Sequence, residues 1–560
     1  MAPTLKLDQR IPLSDGVLLA AVLASPPGPG PFPTLLTITP YGVDFCLDTA
    51  LRHAEAGFAY LVVECRGRGE SGGHFAVYGD APDSVEAIAW AAAQPWSTGR
   101  VALQGGSYAG LIQWAIAALK PPALTGILPI VAPMPGHDSD AWNGIIPLYD
   151  IRWAAFVSGQ AARPSLFGND AYWRGRFADH ARSGAPSRAL MTPLVVGDTF
   201  LETMISNPRP GPHWDFARPT PSQFANIHLP ALSISGTADN SLRGAIRYFE
   251  QHDAHAPDGV RRHLVIGPWN HGGARLPLRL EDEGTGDDPL ADPGWSDALE
   301  IAWHRHLLEG TALPDFLTDK VAVYVSGAER WAKGPSLAAL CTDRVTLHLV
   351  PGGEDGRLAA APGAGSCTFR YDPQDFRYAE LEASAAVGDL FLAASGDYPF
   401  EDGFARHLFG QGVLFLSEPL AEPMTILGVP ELTLTLETDV PDSDLMFALQ
   451  AILPDGRSLN LSADFQRLRY RDGPEHPERL MVPGQAETVR FAMGRMVARQ
   501  LPAGARLRVV VRALASIYLE RHRNAAGPVA DQTMADARVA TFRLHAEGSR
   551  LTLPLAASGC

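Results

Sequence analysis

Short apolar runs and amphipathic segments alternate along the first third of the chain. Residues 35–39 and 59–63 are apolar and bounded by turn residues, as buried strands of a parallel sheet are. Residues 83–94 instead have a helical period, in which apolar side chains share one face and Asp83 stands at the start as a cap. Another apolar run begins at Val101 and leads into a further helical pattern. This order of strands and helices predicts a parallel sheet with helices on both faces.

The alternation is interrupted between residues 133 and 218 and then resumes. The interrupted stretch is rich in Trp, Pro and Gly and has helical pieces such as residues 149–160, which predicts a helical insertion. Strands are predicted again at 231–235 and 263–266, and helices at 242–251 and 295–308. We therefore assign residues 1–132 and 219–318 to one core and residues 133–218 to an insertion within it.

From residue 319 to residue 560 the pattern is that of an all-β region. Short runs that alternate or are wholly apolar lie between turn clusters, at residues 321–325, 345–350, 412–416, 432–436 and 507–511. Several short strands in one stretch predict a sandwich or a jelly roll.

Composition and charge narrow the class of protein without indicating a reaction. The 560 residues are 46% hydrophobic and 19% charged, as in ordinary folded proteins of more than one domain. A net charge of −16 repels phosphate backbones and anionic membranes, so we expect neither nucleic-acid nor membrane partners. No run is long enough to cross a bilayer, and the N-terminus has no apolar signal core.

The cysteines are scattered and contain no CxxC pair, at Cys46, Cys65, Cys341, Cys367 and Cys560. That spacing argues against a disulfide framework and against a zinc cage. We expect a cytoplasmic protein with reduced thiols, and we expect neither a metal nor an organic cofactor.

The strongest candidate for chemistry is the segment VALQGGSYAG at residues 101–110. It reads as a buried strand that stops at two glycines, presents Ser107 and restarts as a helix. Such a turn lifts a serine above a sheet and points the next backbone N–H at a developing oxyanion. The strict G-x-S-x-G form is not met, because Ala109 stands where the second glycine belongs. An ordinary Gly-Ser turn is the alternative interpretation.

A serine nucleophile needs a base within hydrogen-bond reach and an acid that orients the base. Asp239 and His271 follow the predicted strands 231–235 and 263–266, at the carboxyl ends where parallel sheets place their active sites. Their chain order after Ser107 is also the order of an α/β-hydrolase triad. A solvated loop residue is the alternative for either. Other histidines fit worse, because they open a strand or lie on a helix: His263, His304 and His306.

The segment GGSYAG at 105–110 resembles the elbow of the cocaine esterase, glutaryl-7-aminocephalosporanic acid acylase and α-amino acid ester hydrolase family, which is related to the X-prolyl dipeptidyl peptidases. Further segments resemble the same family, at residues 39–41, 66–73, 94–101, 267–271, 453–458 and 467–471. We therefore predict the α/β class, with an α/β-hydrolase core, a helical cap insertion and a C-terminal all-β jelly-roll domain.

The resemblance implies that Ser107 is the nucleophile, His271 its general base and Asp239 the residue that orients the base. It also implies an oxyanion hole made by the backbone N–H of Tyr108 and the phenol of Tyr41. A core tyrosine that caps a strand end is the alternative for Tyr41.

One departure concerns how an amino group would be bound. The α-amino acid ester hydrolases carry carboxylates shortly after the triad aspartate, whereas here residues 240–243 are Asn, Ser, Leu and Arg. Asp138, Asp140 and Asp150 of the insertion are the possible substitutes, with surface charges as the plainer interpretation.

The predicted function is hydrolysis of a small-molecule ester or amide through an acyl-enzyme, with the substrate left open. Three alternatives are an X-prolyl dipeptidyl aminopeptidase, an α-amino acid ester hydrolase or β-lactam acylase, and a non-catalytic carbohydrate-binding protein. Trp142, Trp153 and Phe156 are candidates for the acyl pocket, although core packing explains them equally well. The resemblance also implies a homodimer or a larger homo-oligomer.

Overall fold

The structure is a computed structural model that describes residues 2–191, 200–272, 295–352, 356–384, 409–492 and 494–557. The strands of the first sheet are β1 (Thr4–Pro12), β2 (Leu18–Ser25), β3 (Phe32–Thr39), β4 (Ala59–Glu64), β5 (Ser97–Gly106), β6 (Leu124–Ile130), β7 (Ala231–Ala238), β8 (Arg262–Asn270), β9 (Val321–Val325) and β10 (Arg330–Gly334). The α-helices are α1 (Asp44–Glu55), α2 (Ala81–Ala92), α3 (Tyr108–Ala118), α4 (Tyr149–Val157), α5 (Pro164–Phe167), α6 (Asp170–Ser183), α7 (Ser187–Met191), α8 (Phe200–Ser206), α9 (Pro221–Phe224), α10 (Leu242–His255), α11 (Trp295–Glu309), α12 (Leu337–Leu340) and α13 (Arg377–Ser384).

The first sheet has the strand order β1-β2-β4-β3-β5-β6-β7-β8-β9-β10. From β4 to β9 each neighbouring pair is parallel, while β1, β2 and β10 run antiparallel to their neighbours. Successive residues of its strands enter two different apolar clusters, because side chains alternate across a sheet. Leu36 and Leu103 lie in one cluster, and Leu35 and Ala102 lie in the other. Both faces are therefore covered, as the alternating sequence pattern predicts.

Strand β9 corrects one sequence expectation. Residues 321–325 were expected to open the all-β region, but β9 pairs in parallel with β8 and extends the first sheet. All five of its residues are buried, as in a strand covered on both faces. A short apolar run reads the same in a parallel sheet and in a sandwich, so the pattern alone could not choose its partner.

Helices α4 to α8 lie between β6 and β7, in the position of the predicted insertion. The remaining strands form a second sheet system, with β11 (Cys341–Val350), β12 (Gly356–Ala359), β13 (Ser366–Tyr371), β14 (Gly412–Ser417), β15 (Met424–Gly428), β16 (Glu431–Thr438), β17 (Asp444–Ile452), β18 (Ser458–Arg467), β19 (Glu487–Phe491), β20 (Val497–Leu501), β21 (Arg506–Ala513) and β22 (Ala540–Ala556). Along β16 buried residues alternate strictly with half-buried ones, as on the inner face of a sandwich. The predicted fold class is confirmed.

The second sheet system is hydrogen-bonded to the loop that leads into α4. Trp142 Nε1 donates to Asp464 Oδ1 at 2.9 Å, and the Asn143 side chain donates to the Phe465 carbonyl at 2.7 Å. Further along, the backbone of residues 146–148 pairs with that of residues 518–520. The start of α4 is thus fixed by residues far along the chain.

Two further sequence expectations concern membranes and thiols. No described helix has the length and apolar character needed to span a membrane. Cys65, Cys341 and Cys367 form no disulfide, whereas Cys560 lies outside the described residues.

Candidate active site

Ser107 occupies the sharp turn between β5 and α3. Its φ of +58° and ψ of −120° lie in a region that side-chain-bearing residues rarely adopt, and strain of this kind is concentrated at functional sites. The strand and helix also approach closely at this turn. A Cβ added to Gly110 would lie 2.7 Å from the Ile130 carbonyl oxygen, so only glycine fits at that position without a shift. The close approach therefore requires a glycine at residue 110, one position after the last glycine of the strict G-x-S-x-G form.

The structure brings Ser107, His271 and Asp239 into one hydrogen-bonded chain. Ser107 Oγ lies 3.0 Å from His271 Nε2, and His271 Nδ1 lies 2.8 Å from Asp239 Oδ1. The Asp239 side chain is fully buried and also accepts hydrogen bonds from Ser235 Oγ at 2.6 Å and Ser241 N at 2.9 Å. These two donors hold the carboxylate in place, and the carboxylate in turn fixes which imidazole nitrogen faces the serine.

Tyr41, just beyond the end of β3, places its phenol beside the serine. The phenol oxygen accepts from Trp153 Nε1 at 3.1 Å, and the Ser107 hydroxyl and the Tyr108 main chain are its other polar neighbours. Burial raises the pKa of the Tyr41 phenol, and these three polar groups act in the opposite direction. Its ring stacks on Phe156 with 5.4 Å between centroids. An O–H and a backbone N–H therefore converge next to Ser107 Oγ, as an oxyanion hole requires.

The Tyr108 side chain is anchored by two hydrogen bonds of its hydroxyl. Its hydroxyl donates to the Asp80 carboxyl and accepts from the Tyr78 backbone N–H at 2.8 Å. Burial raises the pKa of Asp80 to about 7. The sequence pattern did not single out Asp80, because it predicts Asp83 as the cap of the helix. In the structure α2 begins at Ala81, directly after Asp80, and Asp83 pairs with Arg66 instead. An Asp followed by Ala-Pro is itself a helix-start signal.

An open cleft leads to Ser107 and is rich in aromatic rings. Its wall contains Tyr41, Tyr78, Tyr108, Leu111, Pro133, Asp138, Ser139, Tyr149, Asp150, Trp153, Asn240, Ser241 and His271. Of the three aromatic residues expected in an acyl pocket, Trp153 lies in this wall. Phe156 instead packs behind the Tyr41 ring, and Trp142 is bound to Asp464 at the contact with the second sheet system.

The carboxyl groups of Asp138, Asp140 and Asp150 are buried, so their interpretation as surface charges is wrong. Asp138 accepts hydrogen bonds from the backbone N–H groups of Met134 and Gly244. Asp140 accepts a hydrogen bond from the Tyr78 hydroxyl at 3.1 Å. Burial raises the pKa of both Asp138 and Asp140 to about 7. Asp138 and Asp150 contribute to the wall of the cleft.

The histidines that fit the triad less well lie elsewhere in the fold. His263 Nδ1 is 3.0 Å from the Asp319 carbonyl, and His304 Nε2 is 2.8 Å from Gln104 Oε1. Within the described part of the chain, no group of three or more His, Cys, Asp or Glu side chains is arranged to hold a metal ion.

The N-terminal and the C-terminal part of the chain are similar to domains of the same kind of protein. Residues 15–273 match the profile of the X-Pro dipeptidyl-peptidase (S15 family), and residues 316–526 match that of the X-Pro dipeptidyl-peptidase C-terminal non-catalytic domain. The chain is 24% identical over 582 residues to the cocaine esterase of Rhodococcus sp. (strain MB1 Bresler), with 97% of each chain covered.

Two solved structures have the same fold along nearly the whole chain. An aminopeptidase from a marine sediment archaeon, Thaumarchaeota archaeon, has a TM-score of 0.82 and 21% identity, and the alignment covers 100% of this chain and 97% of that one. An α-amino acid ester hydrolase has a TM-score of 0.80 and 20% identity, with 99% and 97% covered.

Proposed function

We propose that this serine hydrolase, whose residues 15–273 match the S15 family profile, hydrolyses small-molecule carboxylic esters through an acyl-enzyme on Ser107. The observation that carries this proposal is the hydrogen-bonded chain from Ser107 through His271 to Asp239. Beside Ser107, the Tyr108 backbone N–H and the Tyr41 hydroxyl would serve as the two oxyanion donors.

In the first half-reaction Ser107 Oγ attacks the ester carbonyl while His271 Nε2 takes the hydroxyl proton. The carbonyl oxygen becomes an oxyanion that accepts from the Tyr108 N–H and the Tyr41 O–H. Asp239 stabilises the imidazolium form of His271, which then gives its proton to the leaving alkoxide as the C–O bond breaks. Water repeats the sequence on the acyl-enzyme and releases the acid.

The rings around the serine favour an apolar or aromatic acyl group. Tyr41, Tyr78, Tyr149 and Trp153 all line the cleft, and aromatic faces bind such groups with large apolar area and defined geometry. We propose esters rather than amides as the preferred substrates, because an alcohol is a better leaving group than an amine. The cocaine esterase relative, which matches from end to end, supports the same order.

A second candidate is an enzyme for substrates that carry a free amino group, either an α-amino acid ester hydrolase or an aminopeptidase. The buried carboxyl groups of Asp138 and Asp150 in the cleft wall favour it, because an ammonium ion would compensate a buried carboxylate. Both the acylase and the X-prolyl peptidase activities belong to this candidate.

Matched substrates separate the two candidates. The p-nitrophenyl ester of phenylacetic acid and the corresponding phenylglycine ester differ only by the amino group, and an X-Pro p-nitroanilide adds the peptidase activity. We expect the phenylacetyl ester to be cleaved at least as fast as its amino analogue. A preference above about tenfold for the amino ester, which is about 1.4 kcal/mol, would instead support the second candidate.

The nucleophile is tested by labelling with a fluorophosphonate. We expect the wild-type protein to be labelled on Ser107, and Ser107→Ala to be unlabelled and inactive at an unchanged unfolding temperature. Ser222→Ala, at an exposed serine of α9, is the matched control and should label normally. Labelling of Ser107→Ala at the wild-type rate, or wild-type turnover by that variant, would contradict the assignment.

Location and assembly are also part of the proposal. A cytoplasmic location is supported by thiols without disulfides at Cys65, Cys341 and Cys367. A homodimer or larger homo-oligomer is supported only by the family resemblance, and light scattering on the purified protein tests it.

A further inference from the structure

Trp153 on α4 donates a hydrogen bond from the insertion to the Tyr41 phenol of the proposed oxyanion hole. Its indole Nε1 lies 3.1 Å from the Tyr41 phenol oxygen. Its ring is held by nearly parallel contacts with Tyr108 (6.0 Å) and Tyr78 (6.4 Å) and by an edge contact with Phe200 (5.9 Å). The indole N–H therefore has a fixed direction.

The chemistry of the donors determines where the Tyr41 proton can point. The phenol oxygen accepts from the Trp153 indole at 3.1 Å, and the Tyr108 main chain and the Ser107 hydroxyl are its other polar neighbours. An indole N–H and a backbone N–H can only donate, whereas a hydroxyl both donates and accepts. The phenol oxygen must therefore accept from the indole and the backbone, so its own proton is directed toward Ser107 Oγ.

We propose that Trp153 is a positioning residue that orients the Tyr41 hydroxyl proton toward the reacting centre. This inference rests on the proposed function, because the carbonyl oxygen of a substrate attacked by Ser107 Oγ is where the oxyanion develops. A phenol that is already oriented needs no reorganisation when charge appears, and preorganised donors are the effective ones. It follows that α4 has to be in place before the oxyanion hole is complete.

Trp153 also lines the cleft, so a simple loss of activity on substitution could come from a changed wall. A double-mutant cycle separates the two roles. Trp153→Phe keeps an aromatic ring and removes the N–H, and Tyr41→Phe removes the oxygen that accepts from it. A group that acts through Tyr41 has no effect once that oxygen is gone, whereas a wall residue acts in either background.

The cycle is measured with p-nitrophenyl phenylacetate on the full-length protein. We expect Trp153→Phe to lower kcat about five- to tenfold with KM changed less than about twofold, since one neutral hydrogen bond is lost. In the Tyr41→Phe background the same change should lower kcat less than about twofold. An unchanged kcat, an effect confined to KM, or an equal loss in both backgrounds would overturn the proposal.

Two further variants guard against misfolding and loss of packing. Replacing Trp153 by benzothienylalanine keeps the ring shape without the N–H and should reproduce the kcat loss; full activity of this variant would overturn the proposal. Trp173→Phe is the matched control, because Trp173 on α6 donates to the Leu166 carbonyl at 2.8 Å, and it should leave kcat unchanged. Fluorophosphonate labelling of the wild type does not depend on Trp153, so failure of the proposed function would be seen separately.

Discussion

Removing the Tyr41 hydroxyl is the sharpest test of how the site stabilises charge. Tyr41→Phe deletes one oxygen atom and keeps a ring that can stack on Phe156 at the same 5.4 Å separation. The backbone N–H of Tyr108 remains as the second donor. The variant therefore changes one side of the proposed oxyanion hole and keeps all three residues of the hydrogen-bonded chain from Ser107 to Asp239.

The size of the effect follows from the enclosed position of the hydroxyl. It lies among the Ser107 hydroxyl, the Tyr108 main chain and the Trp153 indole, where a donor strengthens as negative charge develops. Loss of one such donor lowers kcat by about 10²–10³, or about 2.7–4 kcal/mol in the activation barrier. The Trp153 N–H also loses its acceptor, which costs about 1 kcal/mol of stability. KM should change little, because the lost interaction forms in the transition state.

Steady-state hydrolysis of a p-nitrophenyl ester measures both constants, with thermal unfolding as the check on the fold. Tyr172→Phe, at a tyrosine of α6 that is 42% exposed, is the matched control and should retain wild-type kcat. Residual activity above that of Ser107→Ala is expected, since the backbone donor persists. A kcat within about threefold of wild type would refute the role of Tyr41, because even a weak oxyanion donor contributes more.

Two further predictions concern stability. Asp464→Ala removes the acceptor of the Trp142 indole, so we expect a lower thermal unfolding midpoint together with reduced esterase activity; a lower midpoint with full activity would show that the contact does not support α4. Burial raises the pKa of Asp80 to about 7, above the ordinary value of 3.8 that applies to the unfolded chain. The folded protein thus disfavours the ionised Asp80 carboxyl. The contribution of Asp80 to the free energy of unfolding is greatest below about pH 4 and is lost as the pH rises through about 7. Asp80→Asn removes this titration, so its midpoint relative to wild type should rise between pH 6 and pH 8.5. An unchanged difference would contradict a raised pKa.

The features that sequence could predict are those set by short segments and by a general rule of parallel sheets. The elbow at Ser107 depends on ten consecutive residues, and small side chains there allow strand and helix to approach. Asp239 and His271 each follow a buried strand, and the ends of parallel strands meet at one edge of a sheet. Their meeting could therefore be predicted without knowing the order of the strands.

The features that sequence missed depend on partners far along the chain. Asp138 is buried because it accepts from the backbone N–H of Gly244, which belongs to α10 across the fold. Asp80 accepts a hydrogen bond from the Tyr108 hydroxyl, and although the following Ala-Pro marks a helix start, no local pattern indicates that partner. Strand β9 joins the first sheet because β8 offers it an edge. In each case the deciding contact is absent from the local pattern.

The backbone pairing of residues 146–148 with 518–520 bears on how the protein matures during synthesis. A ribosome makes the chain from the N-terminus, and domains generally fold as they emerge. Ser107 and His271 are made earlier than the residues that hold the approach to α4, since Asp464 comes about 190 residues and residues 518–520 about 250 residues after His271. A nascent chain thus holds its proposed nucleophile long before its cleft is complete, and full activity is expected only after residue 520 has been made.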